Sequence, residues 1–219
     1  YYDHNMMVMI ERAKDHLANP KQYIPRQRLW YIRAKEVIAS TGSIERPLVF
    51  GNNDRPGIML ASAAREYLKV YGVLIGKKPI IFTNNDNAYE TAIDFKKNGA
   101  NPLIVDIREN SESEVIKEAK NLNIDIKFSY AIANAKGYRK VVSATIGKFN
   151  ENKSNYEKLE DIPCDCICVS GNWTPTVHLV SQSGNKLKFD EKINAFIPSL
   201  SRQKETTVGS AKGSFTLKK

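Results

Sequence analysis

Apolar positions in this chain fall into short runs whose period changes along its length. Met6, Met9, Ile10, Ala13 and Leu17 recur at helical spacing, which predicts a helix over residues 5–17. Residues 27–34 alternate and read as a strand, and 35–39 follow as a second, a pairing that suits a small β-meander. Asn, Asp, Pro and Gly at 52–57 then open a helix, with Asp54 in the N-cap region and Pro56 in the first turn. Met59, Leu60, Ala63, Ala64, Tyr67 and Leu68 form its apolar face, and Gly72 stops it.

The middle of the chain has a clearer rhythm. Unbroken apolar runs at 79–83 and 102–106 alternate with helical patterns at 88–97 and 113–121. That order, βαβα, requires a parallel sheet with right-handed crossovers. Strands at 126–133 and 139–146 follow, joined through Lys136-Gly137 as a hairpin or meander. A polar stretch at 149–160 reads as a loop and 165–170 as another buried strand. Gly171-Asn172-Trp173-Thr174-Pro175 turns the chain into a helix at 176–181. Short strand-like pieces at 187–189 and 195–197 precede residues 206–213, which read as strand, tight turn and helix start.

Composition narrows the class. The 219 residues are 42% hydrophobic and 26% charged, which describes a globular chain with ample core. No apolar run reaches the roughly 18 residues that span a bilayer, so no membrane partner is expected. The start carries neither a basic leader nor Met, and Tyr1 reads as a cut end within a longer polypeptide. Net charge is +9, yet pairs such as Lys77-Lys78, Lys96-Lys97 and Lys218-Lys219 are scattered without interleaved aromatics. Nucleic-acid binding is therefore not expected. Cys164, Cys166 and Cys168 share strand parity, which places all three on one face as small buried thiols and fits a reducing, cytoplasmic compartment. A metal site is not expected, because no second ligand pair accompanies them.

Candidate chemistry lies in the turns. Thr41-Gly42 follows the apolar strand at 35–39 and leads to Arg46-Pro47, and small residues there let backbone pass close to a bound cofactor. Gly209-Ser210 forms a similar turn, read either as a cofactor contact or as an ordinary glycine turn capped by Ser210. Arg46 could approach a phosphate or form a structural ion pair. The βαβ unit at 79 lacks glycines in its first turn, Thr83-Asn84-Asn85-Asp86-Asn87-Ala88, where a dinucleotide fold needs close backbone approach. That turn is either a polar pocket for another group or part of a domain that keeps the fold without the ligand. Asp106, at the end of the second strand, occupies the place of a ribose-binding acid. His4, His16 and His178 have no nucleophile or acid companion, and Glu109 with Glu112 read as solvated, so no catalytic residue is assigned.

Several stretches, in order, resemble the alpha subunits of heterotetrameric sarcosine oxidases. They are Ile32-Arg33-Ala34-Lys35, the run from Thr41 to Phe50, the run from Asn53 to Leu60, Phe82-Thr83-Asn84-Asn85-Asp86, Val169-Ser170-Gly171-Asn172-Trp173, His178-Leu179 and Ser181-Gln182-Ser183-Gly184. The resemblance implies an α/β, two-dinucleotide-binding-domain (glutathione-reductase-like) flavoprotein fold, with an incomplete first domain and an inserted Rossmann-like domain. It divides the chain into residues 1–55, the C-terminal part of an NAD-binding domain; 56–170, the inserted domain; and 171–219, the return. It implies an oxidoreductase complex that demethylates sarcosine to glycine with hydrogen peroxide and, with tetrahydrofolate, methylenetetrahydrofolate. NAD would be held noncovalently in this subunit, FAD and FMN elsewhere in the complex, and the partners would be beta, gamma and delta subunits. The carried-over cofactor contacts are Thr41, Gly42, Arg46, Gly209 and Ser210. The alternatives are the alpha subunit of a related amino-acid, opine or proline dehydrogenase, and a ligand-free scaffold. A glycine-rich loop after a strand is expected upstream of Tyr1, and the isolated segment is expected to be inactive.

Overall fold

The computed structural model of the chain describes residues 1–150 and 155–216. It forms two units: Tyr1–Ile44 with Trp173–Lys219, and Glu45–Asn172. The chain starts in the first, runs through the whole of the second, and returns.

The first unit opens with β1 (Met6–Arg12) and β2 (Gln27–Arg33), an antiparallel pair registered from Met6 with Arg33 to Arg12 with Gln27. The helix expected over 5–17 is thus a strand. His4 and Asn5 take left-handed φ of 62° and 51°, which break a helix at its start. The run Met-Met-Val-Met-Ile fits a strand as well as a helix, and the partner strand decides. Next come β3 (Val37–Ala39) and β4 (Ser43–Glu45). β3 does not continue the meander from β2; it joins a parallel partner near the end of the chain.

The second unit contains β5 (Ile58–Leu60), α1 (Ala61–Tyr71), β6 (Pro79–Thr83), α2 (Asn87–Lys97), β7 (Leu103–Asp106), α3 (Glu114–Asn121) and β8 (Asp125–Phe128). β9 (Tyr130–Lys136), β10 (Ser143–Asn150), β11 (Asn155–Pro163) and β12 (Cys166–Ser170) follow. Five strands form a parallel sheet in the order β5-β12-β6-β7-β8, so the expected βαβα core is present. Strand order reverses between β6 and β12. Ile81, Ile104, Cys166 and Cys168 pack under the helices, while Ile80, Phe82, Val105, Ile167 and Val169 pack on the antiparallel sheet β11-β10-β9. Cover on both faces explains why these strands are unbroken apolar runs.

Four expectations for this unit are corrected. The helix placed after Pro56 begins at Ala61, because Ile58–Leu60 first pairs with β12; Asp54 caps nothing there, although Gly72 does close α1 in the left-handed region. The strand read over 126–133 is two strands in different sheets, divided at Ser129, whose φ is 61°. The stretch 149–160, read as a loop, belongs largely to β10 and β11, and its residues 151–154 lie outside the described residues. Cys164 does not share a face with the other two cysteines. Asp165 turns the chain by accepting hydrogen bonds from the Lys77 and Lys78 amides, at 2.7 and 2.9 Å, so Cys164 falls on the antiparallel-sheet side.

The chain returns to the first unit through β13 (Trp173–Pro175), a strand where a turn was expected, and α4 (His178–Gln182). β14 (Leu187–Asp190) and β15 (Ala195–Pro198) form a hairpin. β16 (Glu205–Thr207) pairs in parallel with β3, placing Thr207 beside Ala39. A 3-10 turn, Gly209–Lys212, follows, and the Lys218-Lys219 pair lies outside the described residues.

Candidate functional site

In the first unit, β3 and β16 run parallel and both leave their pair at the same end. The Val208 amide donates to the Ala39 carbonyl at 3.1 Å, and the chain leads on into Thr41-Gly42 after one strand and into Gly209-Ser210 after the other. Gly42 and Gly209 have φ of 73° and 64°. A side chain at either would meet nothing within 4 Å. Thr41 Oγ1 donates to the Thr176 carbonyl at 2.5 Å, and the Thr176 amide donates to the Gly42 carbonyl at 2.9 Å. This reciprocal pair pins the first turn. Ser210 does not cap the 3-10 turn through its side chain; Gly213, at φ 89°, closes that turn instead.

The structure therefore brings together four of the five expected cofactor contacts: Thr41, Gly42, Gly209 and Ser210. Arg46 belongs to the second unit. There its amide donates to the Asn172 carbonyl at 2.8 Å and its carbonyl accepts from the Gly171 amide. A side chain at Gly171 would press on the Arg46 and Pro47 carbonyls and on Leu48, all at 3.0 Å. Next to it in sequence, Glu45 accepts from the Ser62 amide at 2.9 Å and from Ser62 Oγ at 2.5 Å. It serves the N-terminus of α1, which has no cap from its own flanking residue.

Asp106 does not present an open carboxylate. It is fully buried and accepts from Tyr89 Oη at 2.7 Å, Arg108 Nη2 at 2.7 Å, Arg108 Nε at 3.0 Å and the Arg108 amide at 3.0 Å. Arg108 Nη1 also reaches Asp86 at 2.8 Å. Burial, reinforced by the bond to Asp106, pushes the Tyr89 phenol up. Burial works against the charge of Arg108, but its bonds to Asp106 and Asp86 raise its pKa further. Tyr89, Arg108 and Glu45 were not singled out from sequence. An Asp-x-Arg at a strand end is a signal for such a local bond, whereas Tyr89 and Glu45 have partners that only the fold supplies.

Burial pushes the Cys164 thiol up to about 12, and the neighbouring Cys166 together with burial raises Cys168 well above its ordinary value. All three thiols are free and buried, and the raised Cys164 and Cys168 stay protonated near neutral pH, which makes those two poor nucleophiles or metal ligands. Among the described residues no group of three His, Cys, Asp or Glu side chains could hold a metal, and no helix is long and apolar enough to cross a membrane.

No family model matches the chain. Sarcosine oxidase subunit alpha of Corynebacterium sp. (strain P-1) is 35% identical over 98% of this chain, and that of strain U-96 is 36% identical over 90%. The Rhizobium meliloti (strain 1021) protein of the same name is 32% identical over 90%. The chain spans about a fifth of the length of these relatives: 22%, 20% and 19%. Among solved structures, T. acidophilum thioredoxin reductase superposes with a TM-score of 0.65 at 16% identity, covering 87% of this chain and 62% of that one. L-proline dehydrogenase from P. horikoshii gives 0.55 at 23%, covering 84% and 31%. Lactococcus lactis thioredoxin reductase gives 0.63 at 13%, covering 86% and 61%. At those identities the likeness is one of fold. The chain has the α/β, two-dinucleotide-binding-domain fold of flavoprotein oxidoreductases, and along nearly its whole length it matches a segment of sarcosine oxidase subunit alpha.

Proposed function

We propose that this chain is the part of a sarcosine oxidase alpha subunit that lays two backbone turns, Thr41-Gly42 and Gly209-Ser210, against a noncovalently held NAD. The observation carrying this is the pair of glycines at one end of two neighbouring parallel strands, both left-handed and both facing open space. Ligands of such folds bind outside the carboxyl ends of parallel strands, where the backbone can come close. The residues present fit a flat or extended group lying across the turns, and Thr41 holds the first turn in shape through Thr176. Bound NAD supplies a nicotinamide that can accept hydride; the chain supplies shape and backbone dipoles. Arg46 is assigned a bracing role through its backbone.

On this reading the intact protein works in a cytoplasmic heterotetramer with beta, gamma and delta subunits, FAD and FMN. The complex oxidises sarcosine to glycine and hydrogen peroxide and passes the one-carbon unit to tetrahydrofolate. Calorimetric titration of NAD against the full-length alpha subunit tests the site. Binding is expected, weakened at least tenfold by Gly42→Val or Gly209→Val, with the fold checked by circular dichroism. A full-length subunit that does not bind NAD would leave the scaffold alternative in its place. Assay of the whole complex with sarcosine, proline and opines tests the substrate, and absence of sarcosine turnover rejects it.

A further inference from the structure

The second unit has the sheet of a dinucleotide-binding domain, and its strand order reverses between β6 and β12. In open α/β sheets that reversal creates the ligand crevice, with phosphate on the N-terminus of the following helix and ribose on an acid at the end of the next strand. Both recognition elements are present here, as the start of α2 and as Asp106, and both are already bonded within the chain.

The Asn85 carboxamide lies across the crevice. Its Oδ1 accepts from the Asn87 amide at 3.1 Å, the first amide of α2. Its Nδ2 donates to the Ser170 carbonyl at 3.2 Å and to Ser170 Oγ at 3.0 Å, at the end of β12. The Asn85 amide in turn donates to Thr83 Oγ1 at 3.0 Å, at the end of β6. One residue thus joins the two strands that flank the reversal, through its backbone to β6 and its side chain to β12, and takes a helix N-terminal donor that a phosphate oxygen would otherwise use. Across the same sheet edge, Tyr89 and Arg108 fill the acceptor sites of Asp106. Thr83, Ser170 and Asp106 are fully buried, while Asn85 is half-buried and its bond to the Asn87 amide lies at the surface.

We infer that the second unit excludes dinucleotides by supplying its own replacements for them, with Asn85 standing where the phosphate would bind and the Tyr89–Arg108 pair standing where the ribose hydroxyls would bind. Asn85 is then a specificity-determining residue. It keeps nucleotide out of the second unit, and this holds whether or not the first unit binds NAD.

The test uses the isotope-labelled chain, ADP as the probe and backbone amide NMR. In the wild type, amides 83–88 and 106–108 should not move with ADP up to about 10 mM, a range that detects millimolar affinity. In Asn85→Gly the amides of Asn87 and Ala88 should shift saturably, with affinity at least tenfold above that of the wild type. Asn85→Ser, which keeps a smaller polar side chain, should behave similarly and provides a second variant should the glycine variant not fold. Saturable shifts in the wild type at 83–88 would show an open crevice and overturn the inference. A folded variant that gains no binding would overturn it equally. Shifts at Gly42 and Gly209 report the first unit separately, so the two readings succeed or fail independently.

Discussion

Arg108→Ala removes the charged partner of a carboxylate that has no access to water. Asp106 would lose the donors at 2.7 and 3.0 Å from the guanidinium but keep Tyr89 Oη and the amide of residue 108. Breaking a buried pair by deleting one member costs about 3–5 kcal/mol, because the remaining charge stays buried without its counter-ion. The Arg108 side chain is 27% exposed and two bonds to Asp106 survive, so the lower end applies, about 3 kcal/mol. Losing the Asp86 contact adds little, since that carboxylate is 41% exposed and such pairs contribute about 0–1 kcal/mol. The melting temperature of the second unit should fall by roughly 10 °C. Trp30 and Trp173 both belong to the first unit, so tryptophan fluorescence would report the wrong transition. Amide hydrogen exchange in β7 against urea is the suitable assay. Asp106→Leu combined with Arg108→Met should recover much of the loss, and adding Tyr89→Phe should recover more by removing a buried hydroxyl left without an acceptor. A loss below about 1 kcal/mol for Arg108→Ala would refute the reasoning, as would single and combined losses that simply add.

Three further outcomes are expected. Glu45→Ala removes the acceptor of the Ser62 amide at the start of α1 and should cost about 1–2 kcal/mol in the second unit, with faster exchange confined at first to the opening turn of α1. Gly57→Ala places a methyl 2.8 Å from Val141 Cγ1 at a φ of 98°, and should cost at least about 1 kcal/mol by urea unfolding. Alkaline pH should destabilise the second unit. The Cys164 thiol is raised to about 12 and the Tyr89 phenol is raised too, both first by burial, so the native state keeps protons that the unfolded chain has released. That stability is complete below the ordinary thiol value near 9.0 and declines toward pH 12, which unfolding midpoints at neutral and rising pH will show.

What the sequence revealed depended on how local the deciding interaction was. Pro79–Thr83 and Leu103–Asp106 were legible because burial on both faces leaves an unbroken apolar run, and the helices between them carry their own periodicity. Met6–Arg12 was not, because its apolar spacing fits both periods and the choice falls to β2, which lies beyond a long connection. The strands on either side of Ser129 read as one because a single left-handed residue, not a loop, separates them. Residues 155–163 are polar and exposed because β11 is the outer strand of its sheet, and an outer strand of charged residues reads like a loop.

The stretch from Thr41 to Pro47 shows the same limit at the level of function. Its residues stand together in sequence but act in different units. Thr41 and Gly42 shape a turn beside the end of β16, Glu45 serves the first turn of α1, and the Arg46 backbone braces Gly171. A motif placed where the chain passes from one unit to another combines cofactor and structural demands in one string. The second unit makes the converse point. Asp106 stands where a dinucleotide site would have its ribose-binding acid, although the turn after β6 lacks the glycines that such a site needs. Tyr89, Arg108 and Asn85 decide the matter, because a recognition group whose bonds are already made inside the protein has little left to offer a ligand.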